Sequence, residues 1–359
     1  MKRFNFAVAF LLGAGVLYAD GTGFEEAKQG GTKALLSYGQ KMEKEKKFEE
    51  AVLAYKEVAS TEKNVIQVQE ALLKSSQVKV NLKDLGGAVN DLEKVLETRK
   101  TDPKTGAANH LTAVIRLAQI LSTKLNDFPG AIALVDDFQK DQELPPASRK
   151  RLEQTRNSLL RNQVNSLVRA KKYEEARKLA ADNMQKLPGP EMSAACINVE
   201  IAYSKSLTSK KQYDEADKVL RAAAQIKGAK PANYWRVQEA IIQNLMSKKD
   251  YVVGQKELDL LKKMPGGSKN NTVMAEVRFL LSSGKSEEAI DLLVKSAEDK
   301  SFKQKERGSF YNSAALNTMA KLHDVKRAEE YYEKAKSLLG EKFKNARLEK
   351  MITNWKKIH

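Results

Sequence analysis

Apolar residues recur at intervals of three and four through most of the chain, and no stretch alternates with period two over enough length to need a strand. Leu35, Tyr38, Gly39 and Met42 fall on one helical face, as do Ala51, Tyr55 and Val58, and Ala88, Leu92 and Val95. Ala131, Val135 and Phe138, Tyr203, Ser204 and Leu207, and Ala328, Tyr332 and Ala335 repeat the spacing. The pattern predicts an all-α protein of at least 14 helices and no sheet.

The polar segments between these helices are themselves similar. A polar pair, often followed by an aromatic, leads within a few residues to a small side chain. "KKFEEA" ends on Ala51, "KDLGGA" on Ala88, "NDFPGA" on Ala131 and "KKYEEA" on Ala176. "KQYDEA" ends on Ala216, "KDYVVG" on Gly254, "GKSEEA" on Ala289 and "HDVKRA" on Ala328. Successive copies lie 35 to 45 residues apart, about 40 on average. Each copy reads as the turn of a helical hairpin, and its small residue lets two helix backbones approach closely. One such hairpin cannot bury its apolar face alone, but a stack of eight can. Phe48, Phe128, Tyr173, Tyr213 and Tyr251, the aromatics before the turns, are expected to plug the hairpin ends. All eight prolines fall at predicted helix starts or between helices, where a missing N–H is harmless.

The sets Leu35, Tyr38, Gly39, Ala51, Tyr55 and Ala328, Tyr332, Ala335 resemble tetratricopeptide repeats. The likeness extends over most of the chain, with two departures. The units are mostly longer than the family's roughly 34 residues, and the proline that usually closes a unit is mostly absent. The resemblance implies a divergent α-solenoid, a right-handed superhelix of about eight helix-turn-helix hairpins. It also implies a scaffold that holds a protein or peptide on its concave face, with no particular chemistry.

The two ends differ from the middle. Met1-Lys2-Arg3, the apolar run Phe4 to Leu17 and the small residue Ala19 have the form of a secretion signal cut after Ala19. Residues 20–340 are then the solenoid and 341–359 a capping helix. In that last segment Leu348, Met351, Ile352 and Trp355 share a face, with Lys and Arg covering the other. An exposed end repeat needs such a cap, although a basic amphipathic helix can also lie on a membrane or bind a partner. Export places the protein in the periplasm or outside the cell, with an envelope complex among its possible settings.

Composition narrows function mainly by exclusion. The 359 residues carry a formal charge of +17, or +15 once Lys2 and Arg3 are removed. Lys is far commoner than Arg and is often interleaved with Glu, as in "KMEKEKKFEE", where helix-surface ion pairs are expected. No dense basic stripe alternates with aromatics, so no specific nucleic acid is expected as partner. The excess suits weak attraction to anionic surfaces.

His110, His323 and His359 are scattered and the only cysteine, Cys196, sits among apolar residues. No metal site or cofactor is therefore expected. Gly284-Lys285-Ser286 lacks the preceding glycine and strand of a phosphate loop. Glu49-Glu50, Glu174-Glu175 and Glu287-Glu288 recur at equivalent turns, where carboxylates favour a helix N-terminus. No catalytic residues are assigned.

The expectation is an exported, non-enzymatic adaptor with a protein or peptide in a groove lined by the first helices of the hairpins. Tyr234, Trp235 and Arg236, after Pro231, are the candidate binding residues, with core packing the competing role for Trp235. Alternatives are an envelope accessory subunit or peptidoglycan-active protein, and a basic nucleic-acid-binding repeat protein.

Overall fold

The computed structural model describes residues 21–101, 104–141, 144–340 and 342–358. The proposed signal and its cleavage point lie outside them. The described residues form 18 α-helices and one short π-helical segment, with no strand. Eight hairpins account for sixteen of those helices: α2 (Gly31–Lys44) with α3 (Phe48–Thr61), α4 (Val65–Asn81) with α5 (Leu85–Thr101), and α6 (Ala107–Thr123) with α7 (Phe128–Gln139). They continue with α8 (Pro146–Arg169) and α9 (Tyr173–Lys186), α10 (Pro190–Ser209) and α11 (Tyr213–Ala224), and α12 (Pro231–Lys248) and α13 (Tyr251–Lys263). The last two are α14 (Lys269–Ser282) with α15 (Ser286–Glu298), and α16 (Gln304–Asn317) with α17 (Val325–Leu339). A leading helix, α1 (Gly21–Gln29), and a final one, α18 (Ala346–Ile358), flank the series. The protein is an all-α helical-repeat solenoid.

The hairpin turn follows one rule. Among the described residues, every one other than glycine with positive φ opens one of the six-residue signatures: Lys46, Lys83, Asn126, Lys171, Lys211, Lys249 and His323. The remaining signature opens on Gly284, also at positive φ. In six turns the next residue's N–H reaches back five positions, at 2.9 Å from donor to acceptor: Lys47 to Met42 O, Asp84 to Lys79 O, Lys172 to Leu167 O, Gln212 to Leu207 O, Asp250 to Leu245 O and Lys285 to Leu280 O. This bond closes the C-terminus of the first helix around a left-handed residue. The same donor residue is the N-cap of the second helix, so one left-handed residue suffices to reverse the chain. The turn before α7 has one residue more, and Asp127 N–H bonds Leu121 O instead. Before α17 the chain widens into a π-helix, Thr318–Leu322, which the sequence pattern did not anticipate.

Second helices begin in two alternative ways. Asp84, Asp127, Asp250 and Asp324 each accept a hydrogen bond from the backbone N–H three residues on. The helices they start have no acidic residue in the first turn. Lys47, Lys172, Gln212 and Lys285 make no side-chain cap, and their helices instead open with Glu49-Glu50, Glu174-Glu175, Asp214-Glu215 and Glu287-Glu288. Both devices put negative charge where N–H groups lack partners.

Packing follows the small residues. Ala51, Ala88, Ala131, Ala176, Ala216, Ala289 and Ala328 are all 0% exposed. Gly254 occupies the eighth position, and a Cβ there would lie 2.8 Å from Phe279 Cε2.

The chain divides into two compact units, up to Leu160 and from Arg161. In the first, Tyr55, Leu92 and Val135 centre three apolar clusters running from α1 into the first part of α8. The second runs from Val164, with Ala176 and Cys196, to a terminal cluster of Phe310, Tyr332, Leu348 and Ile352. α18 caps that cluster through Leu348 and Ile352, with Trp355 stacked on His323 at 5.0 Å and 6°.

Candidate protein-binding face

Within each unit a first helix packs between its own second helix and the one before it. Successive first helices also meet directly, α4 with α6, and α10 with α12 and α12 with α14. The remaining side of these helices faces solvent, and it carries polar side chains at a fixed register from the small residue. Asn198 and Arg236 both lie eighteen positions before theirs, Ala216 and Gly254. Lys205, Gln243 and Arg278 lie eleven positions before Ala216, Gly254 and Ala289.

In the second unit these positions form rungs between helices. Arg236 Nη1 donates to Asn198 Oδ1 at 2.7 Å, tying α12 to α10. Arg278 pairs with Glu239, tying α14 to α12. Nearer the turns, Thr208 Oγ1 donates to Asn244 Oδ1 at 2.7 Å, and Asn244 Nδ2 donates to Tyr213 O at 2.8 Å. The buried Asn244 thereby fixes a first helix against the preceding turn.

In the first unit the same side opens into a shallow cleft of ≈170 Å³. Gln77 and Val80 of α4 and Arg116, Gln119 and Thr123 of α6 line it. Arg116 Nη1 donates to Leu73 O at 2.7 Å. Burial holds its guanidinium below the ordinary arginine range, with no nearby carboxylate offsetting the shift. Arg99, Arg156, Arg177, Arg221, Arg278 and Arg327 each pair with a carboxylate. The cleft thus holds a half-buried cation that, among the described residues, is hydrogen-bonded to a neutral carbonyl and ion-paired with no carboxylate.

The three residues singled out after Pro231 take different roles. Tyr234 is half-buried: its hydroxyl donates to Ile226 O at 2.7 Å and accepts from Ala229 N–H at 3.3 Å, pinning the loop before α12. Trp235 is 3% exposed and packs with Ile242, Leu258, Leu261 and Phe279. Its Nε1 lies against Gly267, where a Cβ would sit at 2.2 Å. Only Arg236 belongs to the open first-helix side. Arg116, Glu239 and Arg278 were not singled out by sequence. The register to the small residues would have marked Arg278, whereas the burial of Arg116 has no sequence signal.

Other polar features have structural explanations. His110 is buried with Gln69 and Thr98, its Nε2 lying 3.1 Å from Gln69 Nε2 and 2.9 Å from Thr98 Oγ1. Cys196 Sγ lies 3.3 Å from Ala180 O, and burial pushes the thiol up to about 11. Gly284-Lys285-Ser286 is a hairpin turn, with Lys285 paired to Glu288. Among the described residues no three His, Cys, Asp or Glu side chains converge as a metal site, and no helix is long and apolar enough to cross a membrane.

No family model matches the chain, and no curated protein matches it in sequence. Several solved structures show a distant likeness to it. A tetratricopeptide repeat protein from Parabacteroides merdae is 12% identical, covering 80% of this chain and 98% of its own, with a TM-score of 0.39. The apo quorum sensor NprR from B. thuringiensis is 13% identical, covering 86% and 87%, with a TM-score of 0.40. The TPR2AB domain of yeast Sti1, solved with pHSP90, is 13% identical, covering 87% and 99%, with a TM-score of 0.30. Likeness at this level carries no information about a partner.

Proposed function

We propose that the chain is an interaction scaffold that holds a segment of another protein along the solvent side of its first helices. The observation that carries this reading is Arg116. A guanidinium half-buried in a cleft, hydrogen-bonded to one carbonyl and without a carboxylate, is costly for a free protein and useful when a partner supplies the anion. Gln77, Gln119 and Thr123 beside it offer donors and acceptors to an extended backbone. Within the second unit, polar rungs give the solvent side of its own first helices a fixed geometry. Such a site binds by complementarity and has no need of a reacting group.

The basic start, apolar run and Ala19 support an exported location, in the periplasm or outside the cell, where the partner is a protein of the same compartment. Cross-linking in the native cell, followed by identification of attached proteins, tests the reading. A discrete partner whose yield falls at least tenfold in Arg116→Ala is expected. Recovery of no protein partner, or of one indifferent to Arg116, contradicts it.

A further inference from the structure

The last helix has a second face that the cap does not use. Leu348 and Ile352 point into the terminal cluster, with Met351 and Trp355 half-buried beside them. Glu349 accepts from the Tyr332 hydroxyl at 2.6 Å, so its carboxylate is turned toward α17. What remains outward on α18 is Ala346, Arg347, Lys350, Thr353, Asn354, Lys357 and Ile358, all exposed and none acidic. Lys342 and Lys344, also exposed, extend the charge toward α17. Residues 342–358 hold six basic residues and one acidic residue. Among the described residues, Lys356 alone of the six pairs with a carboxylate, Glu329 at 2.7 Å. Elsewhere the lysines of this chain are commonly interleaved with carboxylates, whereas Glu349 is the single acidic residue within 342–358.

We propose that this outward face of α18 docks the C-terminal end of the protein on an anionic lipid bilayer. Four observations favour a bilayer over other polyanions. The charge is mainly lysine, whose flexible stems reach a diffuse plane of headgroups, whereas phosphate forks and base edges favour arginine. Small side chains, Ala346 and Thr353, separate the charges and let the helix lie flat. No aromatic projects from this face to stack on a base, because Trp355 is committed to His323. Ile358, 77% exposed at the tip, gives an apolar contact at headgroup depth. The rest of the face is polar, so the helix adsorbs by charge and does not insert. Each basic residue brought to an anionic surface strengthens adsorption by about fivefold at low salt.

The test is co-sedimentation of the full chain with vesicles of phosphatidylcholine, alone or mixed with phosphatidylglycerol. Neutral vesicles account for any binding by the apolar run Phe4 to Leu17. Binding to the anionic vesicles alone, released by high salt, is expected. The triple variant Arg347→Glu, Lys350→Glu, Lys357→Glu should lose at least about tenfold in partition. Lys178→Glu, Lys210→Glu, Lys227→Glu makes the same charge change at exposed positions elsewhere and should lose far less. All six positions are exposed, and circular dichroism checks that both variants fold. Equal loss in the two triples would mean net charge alone acts and would overturn the proposal. So would absence of binding at low salt, or face-dependent retention on duplex DNA without retention on vesicles.

Discussion

Gly254 and Gly86 make a controlled pair for the packing rule of the hairpins. Both lie in the first turn of a second helix. Replacing glycine by alanine in a helix stabilises it by about 0.5–1 kcal/mol, by reducing the freedom of the unfolded chain. At Gly86 nothing lies within 4 Å of the added Cβ, so that gain should appear nearly in full. At Gly254 the Cβ lands 2.8 Å from Phe279 Cε2, well inside the ~3.5 Å contact of two carbons. Phe279 has little room to give: it is 2% exposed and packed edge-on against Tyr251, with centroids 6.1 Å apart at 79°. Overpacking of this kind costs about 1–3 kcal/mol. Gly254→Ala should therefore fall about 1–3 kcal/mol short of Gly86→Ala once each is referred to the native protein. Urea unfolding followed at a helix-sensitive wavelength measures both, with the slope checked for constancy. Combining Gly254→Ala with Phe279→Leu should show a favourable coupling of about 1 kcal/mol or more. If Gly254→Ala stabilises as much as Gly86→Ala, close approach at the small position is not what the turn signature encodes.

Other outcomes follow from the turns and the core. Lys171→Gly places at φ +59° the residue that tolerates it best, and should raise stability by about 0.5–1 kcal/mol in thermal unfolding. Asp250→Ala removes the 3.2 Å cap on Val253 N–H, and should cost about 1 kcal/mol in the same assay. The Cys196 thiol is raised from 9.0 to about 11 by burial. Its contribution to stability is therefore complete below pH 9 and is lost as pH rises through about 11. Urea midpoints across that range should fall more in the native protein than in Cys196→Ala, and thiol reagents should label the native protein only on unfolding.

The hairpins were legible because their grammar is local. The opening residue of each signature turned out to be the left-handed one, and Ala51 or Ala328 marks its helix pair without knowledge of the rest. The fully buried Leu92 and Val95, at four and seven positions from Ala88, follow from helical period alone. The open side of the first helices was less legible, because it depends on which side two neighbouring hairpins leave uncovered. Trp235 and Arg236 illustrate this: core packing competed with binding for the indole in the sequence, and a rotation of 100° per residue sends it inward and leaves Arg236 outside. Arg116 shows the converse. Nothing in "AVIRLAQ" distinguishes a cation whose neighbours provide no carboxylate. The π-helical turn before His323 was also invisible, since its five residues are too few to show a period of their own.

The central claim is that the solvent side of the first helices holds the partner. A photo-cross-linking residue placed in turn at Gln77, Gln119 and Gln243 on that side, and at Lys178 and Ala222 on second helices, tests it most directly in the native cell. The account predicts one discrete adduct at the first-helix positions, lost with Arg116→Ala at Gln77 and Gln119, and none at the others. Adducts confined to Lys178 and Ala222, or equal at all five positions, would contradict it.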